Sequence, residues 1–112
     1  MFVYGIKNCN SVKKARDFFD THKISYNFID FKKEPPTLNK IKEWVEKMGI
    51  DTVINKKGLT YKKLGLKDKN ITLEEQMNLC IQYPSLIKRP VVEDDKNLIF
   101  GFCETDYREK FL

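Results

Sequence analysis

Cys9 is the residue whose position in the chain best suits covalent chemistry. It stands in "YGIKNCNSVKKA", after a short apolar run that ends at Gly5 and before a lysine-rich helical pattern. The unpaired N–H groups and the dipole at a helix start favour negative charge. A thiol placed there has a lowered pKa and a larger reactive fraction at neutral pH. The sequence therefore predicts that Cys9 is a nucleophile.

The residues next to Cys9 along the chain could assist this chemistry. Candidates to cap or line the turn, and so to contact a substrate or thiol, are Asn8, Asn10 and Ser11. Three lysines are close enough in sequence to add positive charge: Lys7, Lys13 and Lys14. A helical pattern follows, and His22 at its end is interpreted as a C-terminal cap.

The elements that would position Cys9 form a recognisable order. "MFVYG" and "SYNFIDF" read as strands on either side of a helix that begins near Val12, which favours a parallel pair with a right-handed crossover. At the other end, "PVVE" and "NLIFGF" predict an antiparallel hairpin, and "ETDYREKFL" a closing helix. This is the thioredoxin order.

The middle of the chain, about residues 37–83, reads as a helical insertion. Thr37 is a predicted N-cap and Gly49 a stop for a helix whose apolar face runs from Leu38 to Met48. "TYKKLG" predicts a short capped turn, and "TLEE", Thr72 to Glu75, a capping box. The helix that follows has an apolar face of Leu73, Met77, Cys80 and Ile81. We therefore expect an α/β chain with a thioredoxin-like fold, in which a single domain, 1–112, carries an inserted helical subdomain.

Arg89 is the second residue predicted to take part in the chemistry. In "LIKRPVV" it precedes Pro90, which in turn precedes a strand. In thioredoxin-like folds a cis-proline at this place faces the active cysteine, so a cis Arg89–Pro90 bond is expected. Arg89 would then reach the Cys9 turn and pair with an oxyanion or carboxylate through its planar fork.

The other two cysteines, the histidine and the net charge limit which further sites and partners the sequence predicts. Cys80 is interpreted as core filler, whereas Cys103, after the last strand, could resolve a disulfide with Cys9. Three dispersed cysteines predict no disulfide framework, and one histidine gives no metal-ligand spacing. No signal peptide, membrane span or nucleic-acid module is visible, so we expect a cytoplasmic protein with no membrane partner and no direct nucleic-acid partner. The net charge of +5 is interpreted as a solvated lysine-rich surface.

Four segments in this order resemble the arsenate reductase-like family, which includes ArsC, the regulator Spx and YffB-type proteins. They are "YGIKNCNSVKKA", "VINKKGLTYKKL", "YPSLIKRPVV" and "LIFGF". ArsC-type reductases combine the cysteine with three arginines. Cys9 and Arg89 match, but Asn55 stands at the middle position and "LIFGF" has no arginine. Val12 stands where Spx has its second cysteine. The single cysteine in "KNC" is most similar to the YffB type.

The resemblance implies a thiol oxidoreductase that uses Cys9 as nucleophile, with Asn55 and Pro90 among the residues that contact substrate or thiol. No bound cofactor is expected, and glutathione or another small thiol would be the co-substrate. Two alternatives stay open: an Spx-like regulator that contacts RNA polymerase, and an arsenate reductase. The partners it implies are a small thiol or an oxidised small molecule, and a glutaredoxin or an RNA polymerase subunit among proteins. A monomer is expected.

Overall fold

The computed structural model describes residues 1–112, which divide into two compact units. The sheet unit comprises residues 1–30 and 89–112. The helical unit comprises residues 31–88 and is inserted between the two parts of the sheet unit along the chain. None of the helices has the length and apolar character needed to cross a bilayer.

The sheet unit is built on four strands in the order β2-β1-β3-β4. Their bounds are β1 Phe2–Gly5, β2 Asn27–Asp30, β3 Val91–Glu93 and β4 Leu98–Phe100. β1 pairs in parallel with β2 and antiparallel with β3, and β3 pairs antiparallel with β4. Both the predicted parallel pair and the predicted C-terminal hairpin are confirmed. Asp94 closes the hairpin, since its carboxylate accepts the N–H groups of Lys96 at 2.8 Å and Asn97 at 2.6 Å.

Two helices belong to the sheet unit, α1 (Asn10–Thr21) and α6 (Glu104–Phe111). α1 buries the stripe that its sequence predicts, Val12, Ala15, Phe18 and Phe19. Tyr107 of α6 is completely buried, and its ring stacks on Phe19 with a centroid distance of 5.5 Å. Its hydroxyl donates to the Gly101 carbonyl at 2.9 Å, which satisfies the polar end of an otherwise apolar side chain. The core of the sheet unit is thus largely aromatic.

The helical unit contains four α-helices, α2 (Leu38–Met48), α3 (Ile50–Val53), α4 (Leu59–Lys63) and α5 (Leu73–Gln82). It also contains two short 3-10 helices, Leu66–Asp68 and Pro84–Leu86. Thr37 caps α2 as predicted, because its hydroxyl accepts the Lys40 N–H at 3.2 Å. Gly49 ends α2 with a φ of 84°, a conformation that favours glycine. Ile54 and Ile87, both buried, form an isolated antiparallel bridge.

Several local predictions for the helical unit are wrong in detail. α4 begins at Leu59 with Gly58 as its N-cap, and the Thr60 hydroxyl instead lies 2.7 Å from that of Ser85. Thr72 accepts the Glu75 N–H, but the Glu75 carboxylate accepts the Thr72 hydroxyl rather than the reciprocal backbone N–H.

Two predicted apolar-face residues are also exposed. Leu73 is 47% exposed and Met48 39% exposed. Each is a terminal residue of its helix, where fewer neighbouring residues cover the side chain.

Candidate functional site

Cys9 occupies the N-cap of α1. Its φ and ψ of −86° and 128° are extended, and helical geometry begins at Asn10. The Cys9 N–H donates to the Ile6 carbonyl at 3.1 Å, and the Cys9 carbonyl accepts the Lys13 N–H at 3.0 Å. A tight turn therefore carries the chain from the end of β1 into the helix, and it fixes the backbone of Cys9 on both sides.

Gly5 allows this turn to be tight. A Cβ added at Gly5 would lie 2.6 Å from Cγ2 of Val12 and 3.3 Å from Cγ1. These separations are far below an ordinary carbon–carbon contact, so only glycine permits the end of β1 to approach the first turn of α1 so closely. Gly5 thereby helps to position Cys9.

Arg89 approaches the same turn from the other part of the sheet unit. The Arg89–Pro90 bond is cis, as predicted from the sequence. β3 follows at Val91, and the Pro90 carbonyl accepts the Gly101 N–H at 2.8 Å, which anchors this segment. Arg89 is half-buried, and its guanidinium hydrogen-bonds to the Cys9 side chain. The fold thus brings together two residues that are distant in sequence.

The electrostatics of the turn favour the thiolate form of Cys9. Partial burial by itself would raise the pKa of the thiol. The Val12 N–H, the Arg89 guanidinium and the Ser11 N–H outweigh this effect, so the pKa of Cys9 is lower than its ordinary value. The neutral side chain makes no cap hydrogen bond, so these N–H groups act chiefly on the charged form. At a given pH, Cys9 therefore has a larger thiolate fraction than an ordinary cysteine.

The Val12 N–H was not among the groups singled out in the sequence. It belongs to the third helical residue after the cap, and Ser11 is the second. These are the two positions whose N–H groups an N-cap side chain ordinarily engages. The capping rule, applied to a sulfur acceptor, identifies both.

The remaining candidates in the sheet unit differ in their exposure to solvent. Ser11 and Pro90 are half-buried and buried, respectively. The exposed candidates are Lys7, Asn8, Asn10, Lys13 and Lys14. The lowered pKa of Cys9 comes from Val12, Arg89 and Ser11 rather than from the lysines, which their position in the sequence made candidates. The lysines are therefore solvated neighbours of the turn.

Asn55 belongs to the helical unit. Its N–H donates to the Leu86 carbonyl at 2.9 Å, and its side-chain oxygen accepts the Lys57 N–H at 3.3 Å. Its carbonyl also accepts the Gly58 N–H at 3.1 Å. Asn55 thus organises the turn between α3 and α4.

The other two cysteines have contrasting environments. Cys80 is completely buried in α5, and burial raises its pKa to about 12, so the prediction of core filler is confirmed. Cys103 is exposed at the N-cap of α6, whose first turn carries Glu104 and Asp106.

His22 caps the C-terminus of α1, as expected, and its ring lies 4.5 Å from that of Phe18. No group of three or more His, Cys, Asp or Glu side chains is arranged to hold a metal ion.

Comparisons with known proteins agree with this architecture. The family model described as "ArsC family" matches residues 4–110. A solved protein named YFFB superposes with a TM-score of 0.89 at 34% identity, covering 96% of both chains. A possible arsenate reductase from Streptococcus mutans gives 0.80 at 31% identity, again covering 96% of both. The global transcriptional regulator Spx 1 of Lactococcus lactis is 29% identical over 95% of this chain and 84% of its own.

These relatives confirm the mixed α/β, thioredoxin-like fold that the order of elements predicts. They include both an arsenate reductase-like protein and a transcriptional regulator, so they agree on ancestry and fold rather than on one activity. The match extends over nearly the entire length and includes the Cys9 turn and the Arg89–Pro90 segment. The chain belongs to the ArsC family.

Proposed function

We propose that this protein is a thiol-dependent oxidoreductase in which Cys9 is the nucleophile. One observation carries the proposal: the Cys9 sulfur lies at a helix start, beside the Arg89 guanidinium, with a pKa below its ordinary value. A thiol held in this way is more reactive at neutral pH than an ordinary cysteine. Cys80, by contrast, is completely buried, and burial raises its pKa.

At Cys9 the proposed reaction consists of two thiol–disulfide exchanges. The Cys9 thiolate attacks one sulfur of an oxidised substrate, a Cys9–substrate S–S bond forms, and the other substrate sulfur leaves as a thiolate. A small thiol such as glutathione then attacks the mixed disulfide, and Cys9 leaves as a thiolate again. These two exchanges at Cys9 release a mixed disulfide of the small thiol and the bound half of the substrate. A second small-thiol equivalent then attacks this mixed disulfide in solution, and the substrate sulfur leaves as a thiolate. Two small-thiol equivalents thus supply the two electrons and end as a disulfide. Cys9 is unchanged after the cycle.

Arg89 serves two purposes in this scheme. Its positive charge stabilises Cys9 both as the attacking thiolate and as the leaving thiolate. Its guanidinium carries five N–H donors in a planar fork, a geometry that suits carboxylates and oxyanions. A small thiol with carboxylates, of which glutathione is the prime example, suits this arrangement. Asn8, Asn10, Ser11, Lys7, Asn55 and Pro90 remain the proposed substrate-contacting residues.

Resolution by an external thiol is favoured over an internal disulfide. Val12 stands three residues after Cys9, so a Cys-x-x-Cys pair is absent from this turn. Cys80 is buried with a strongly raised pKa, which makes it a poor attacking group. Cys103 lies at the start of a different helix, α6, rather than in the Cys9 turn. A thiol from solution therefore fits the second step best.

Regulation by protein binding is the second candidate function. It is favoured by the regulator Spx 1 of Lactococcus lactis, which aligns over 95% of this chain. In this scheme the protein would contact an RNA polymerase subunit without the redox switch of a paired cysteine. Arsenate reduction is a third candidate, suggested by the possible arsenate reductase from Streptococcus mutans.

An activity panel separates these functions. Purified wild type, Cys9→Ser and the matched control Cys103→Ser are assayed for glutathione–disulfide exchange, reduction of small disulfides and arsenate reduction. We expect turnover of a disulfide by wild type and Cys103→Ser, and none by Cys9→Ser. A protein that is inactive throughout the panel but co-purifies with polymerase subunits would favour regulation instead.

A further inference from the structure

The charge of this protein is concentrated in one segment of the helical unit. The sheet unit contains nine basic and nine acidic residues and is neutral overall. The helical unit contains twelve lysines and seven acidic residues, so it carries the entire net charge of +5. Within it, residues 56–69 contain six lysines and one acidic residue, Asp68. This basic segment alone therefore accounts for the excess.

The basic segment is solvent-accessible and contains an exposed apolar residue. All six lysines, at positions 56, 57, 62, 63, 67 and 69, are exposed. Lys56 pairs with Asp51 at 2.7 Å, which leaves most of the positive charge available. Leu59, the first residue of α4, is 74% exposed, more than any other large apolar side chain of the protein.

An apolar groove adjoins the basic segment. It has a volume of about 340 Å³, and its apolar lining comes from Leu64, Leu66, Ile71 and Leu79. Its polar lining comes from Lys69, at the end of the basic segment, and from three residues of α5, Glu75, Asn78 and Gln82. The volume lies at the lower end of the range for small-ligand sites, so the groove can take an apolar side chain but not a large ligand.

We propose that the basic segment and this groove together bind an acidic segment of a partner protein. An apolar side chain of the partner enters the groove, and flanking Asp and Glu residues face the lysines. Charge complementarity of this kind accelerates encounter and selects partners, while the buried apolar anchor supplies most of the affinity. The surface involves none of the residues of the Cys9 site and is independent of the proposed oxidoreductase activity.

Two other partners fit the same features less well. A nucleic acid is bound through phosphates and base edges, for which arginine is favoured, and the basic segment contains no arginine. An apolar groove and an exposed leucine would also serve no purpose against a phosphate backbone. A membrane surface calls for a longer amphipathic helix, and α4 has only five residues.

Peptide binding by fluorescence anisotropy tests the proposal. The probe is a labelled peptide of alternating Glu and Asp with a central leucine pair, and the comparison peptides replace the leucines by serine or the acids by glutamine. The variants are Lys62→Glu/Lys63→Glu for the charge and Leu64→Ser/Leu79→Ser for the groove. Lys42→Glu/Lys47→Glu, on exposed positions of α2 in the same unit, is the matched control.

We expect the acidic leucine peptide to bind more tightly than both comparison peptides, and its affinity to fall steeply with salt. The Lys62/Lys63 variant should lose affinity by ~10-fold or more, and the α2 control should lose far less. The Leu64→Ser/Leu79→Ser change could weaken the fold. A loss of peptide affinity in this variant therefore supports the proposal only if circular dichroism shows native helix content. Leu59→Ser, on the open surface, provides a second apolar variant that should keep the fold.

Three results would overturn the proposal. One is equal binding of the acidic and glutamine peptides. Another is equal loss in the α2 control, which would indicate non-specific charge attraction. The third is tighter binding of a duplex DNA of similar length with the same dependence on Lys62 and Lys63, which would assign the surface to nucleic acid. Because Cys9→Ser should bind the peptide normally, failure of the oxidoreductase proposal would not affect this test.

Discussion

The guanidinium of Arg89 hydrogen-bonds to the Cys9 side chain, which joins the segment that leads into β3 to the N-cap of α1. Neither element could supply both the helix-start N–H groups and a fixed cation. The sheet brings them together because β1, which leads to Cys9, pairs directly with β3, which follows Arg89. The reactivity of the thiol is therefore a property of the assembled sheet unit.

Removal of the Arg89 charge should raise the pKa of Cys9. In Arg89→Ala the thiolate loses a hydrogen-bond donor and a positive charge, so a higher pH is needed to ionise the thiol. Arg89→Lys keeps the charge but loses the planar fork, so its pKa should lie between those of wild type and Arg89→Ala. Thiolate absorbance measured across pH gives all three values.

Arg89→Lys should also reduce activity while the melting temperature stays nearly unchanged. The side chain is half-buried beside a reactive group rather than in the core, so its loss should affect chemistry more than stability. Equal thiol titration in all three proteins would show that Arg89 has no influence on Cys9.

Cys9 should be the first cysteine to be alkylated. Its pKa is below the ordinary value of 9.0, so its labelling rate should rise with pH and reach a plateau at a lower pH than an ordinary thiol. Cys80 should label only after unfolding, because it is completely buried. Mass-resolved labelling with iodoacetamide across pH measures each site separately. If Cys103 were labelled first, the assignment of Cys9 as nucleophile would fail.

Arsenate reduction should be weak or absent. Stabilising a bound oxyanion needs several positioned cationic donors. Arg89 is present, but Asn55 occupies the position where the second of the three expected arginines would be. Lys56 and Lys57 offer point charges without the bidentate geometry of arginine. A coupled assay with glutathione and glutaredoxin measures turnover. Efficient turnover would contradict this prediction, whereas improved turnover in Asn55→Arg would support its reasoning.

Gly5→Ala should destabilise the protein by about 1–3 kcal/mol, as overpacking of a tight site generally does. The added methyl would collide with Cγ2 of Val12, and the helix start must shift to relieve the contact. Urea denaturation measures the free energy of unfolding. Adding Val12→Ala removes the colliding methyl groups, so the double variant should lose less stability than the sum of the two single variants. Strict additivity would mean that the two residues do not constrain each other.

Stability at alkaline pH should depend on Cys80. Burial raises its pKa from 9.0 to about 12, so the folded protein keeps this thiol protonated at a pH where the unfolded chain ionises it. The unfolded state then binds fewer protons, and the free energy of unfolding falls as pH rises from about 9 to about 12. Cys80→Ala should be less stable overall yet show a shallower decline in that window. Parallel curves for both proteins would contradict the assignment.

Most of the architecture follows from local patterns in the sequence. The apolar stripe of α1, the cap at Thr37 and the hairpin around Asp94 each depend on residues close in sequence, and each is predicted by spacing or turn chemistry. The details that fail depend on tertiary neighbours. Thr60 reads as a cap but hydrogen-bonds with Ser85, which is distant along the chain. Leu73 fits an apolar face that other residues do not cover.

In the candidate site, too, the local features could be predicted from the sequence and the long-range contact could not. Cys9 at a helix start can be recognised from its flanking pattern, and the capping rule identifies the N–H groups that act on it. Its contact with Arg89 cannot be derived from spacing, because strand pairing creates it. That contact was predicted only because the order of elements resembles a thioredoxin-like fold. The complete burial of Tyr107 was not predicted either, because its helix is short and highly charged.

The pairing of β1 with β3 joins two parts of the site that are synthesised at different times. Cys9 emerges early, and the whole helical unit must be synthesised before Arg89 and β3 appear. Since long-range strand pairs form only when both partners are available, the sheet unit cannot close until synthesis is nearly finished. The nascent chain therefore exposes an ordinary cysteine, and the arginine that activates it arrives with the last quarter of the protein. Truncated chains should accordingly lack the activated thiol.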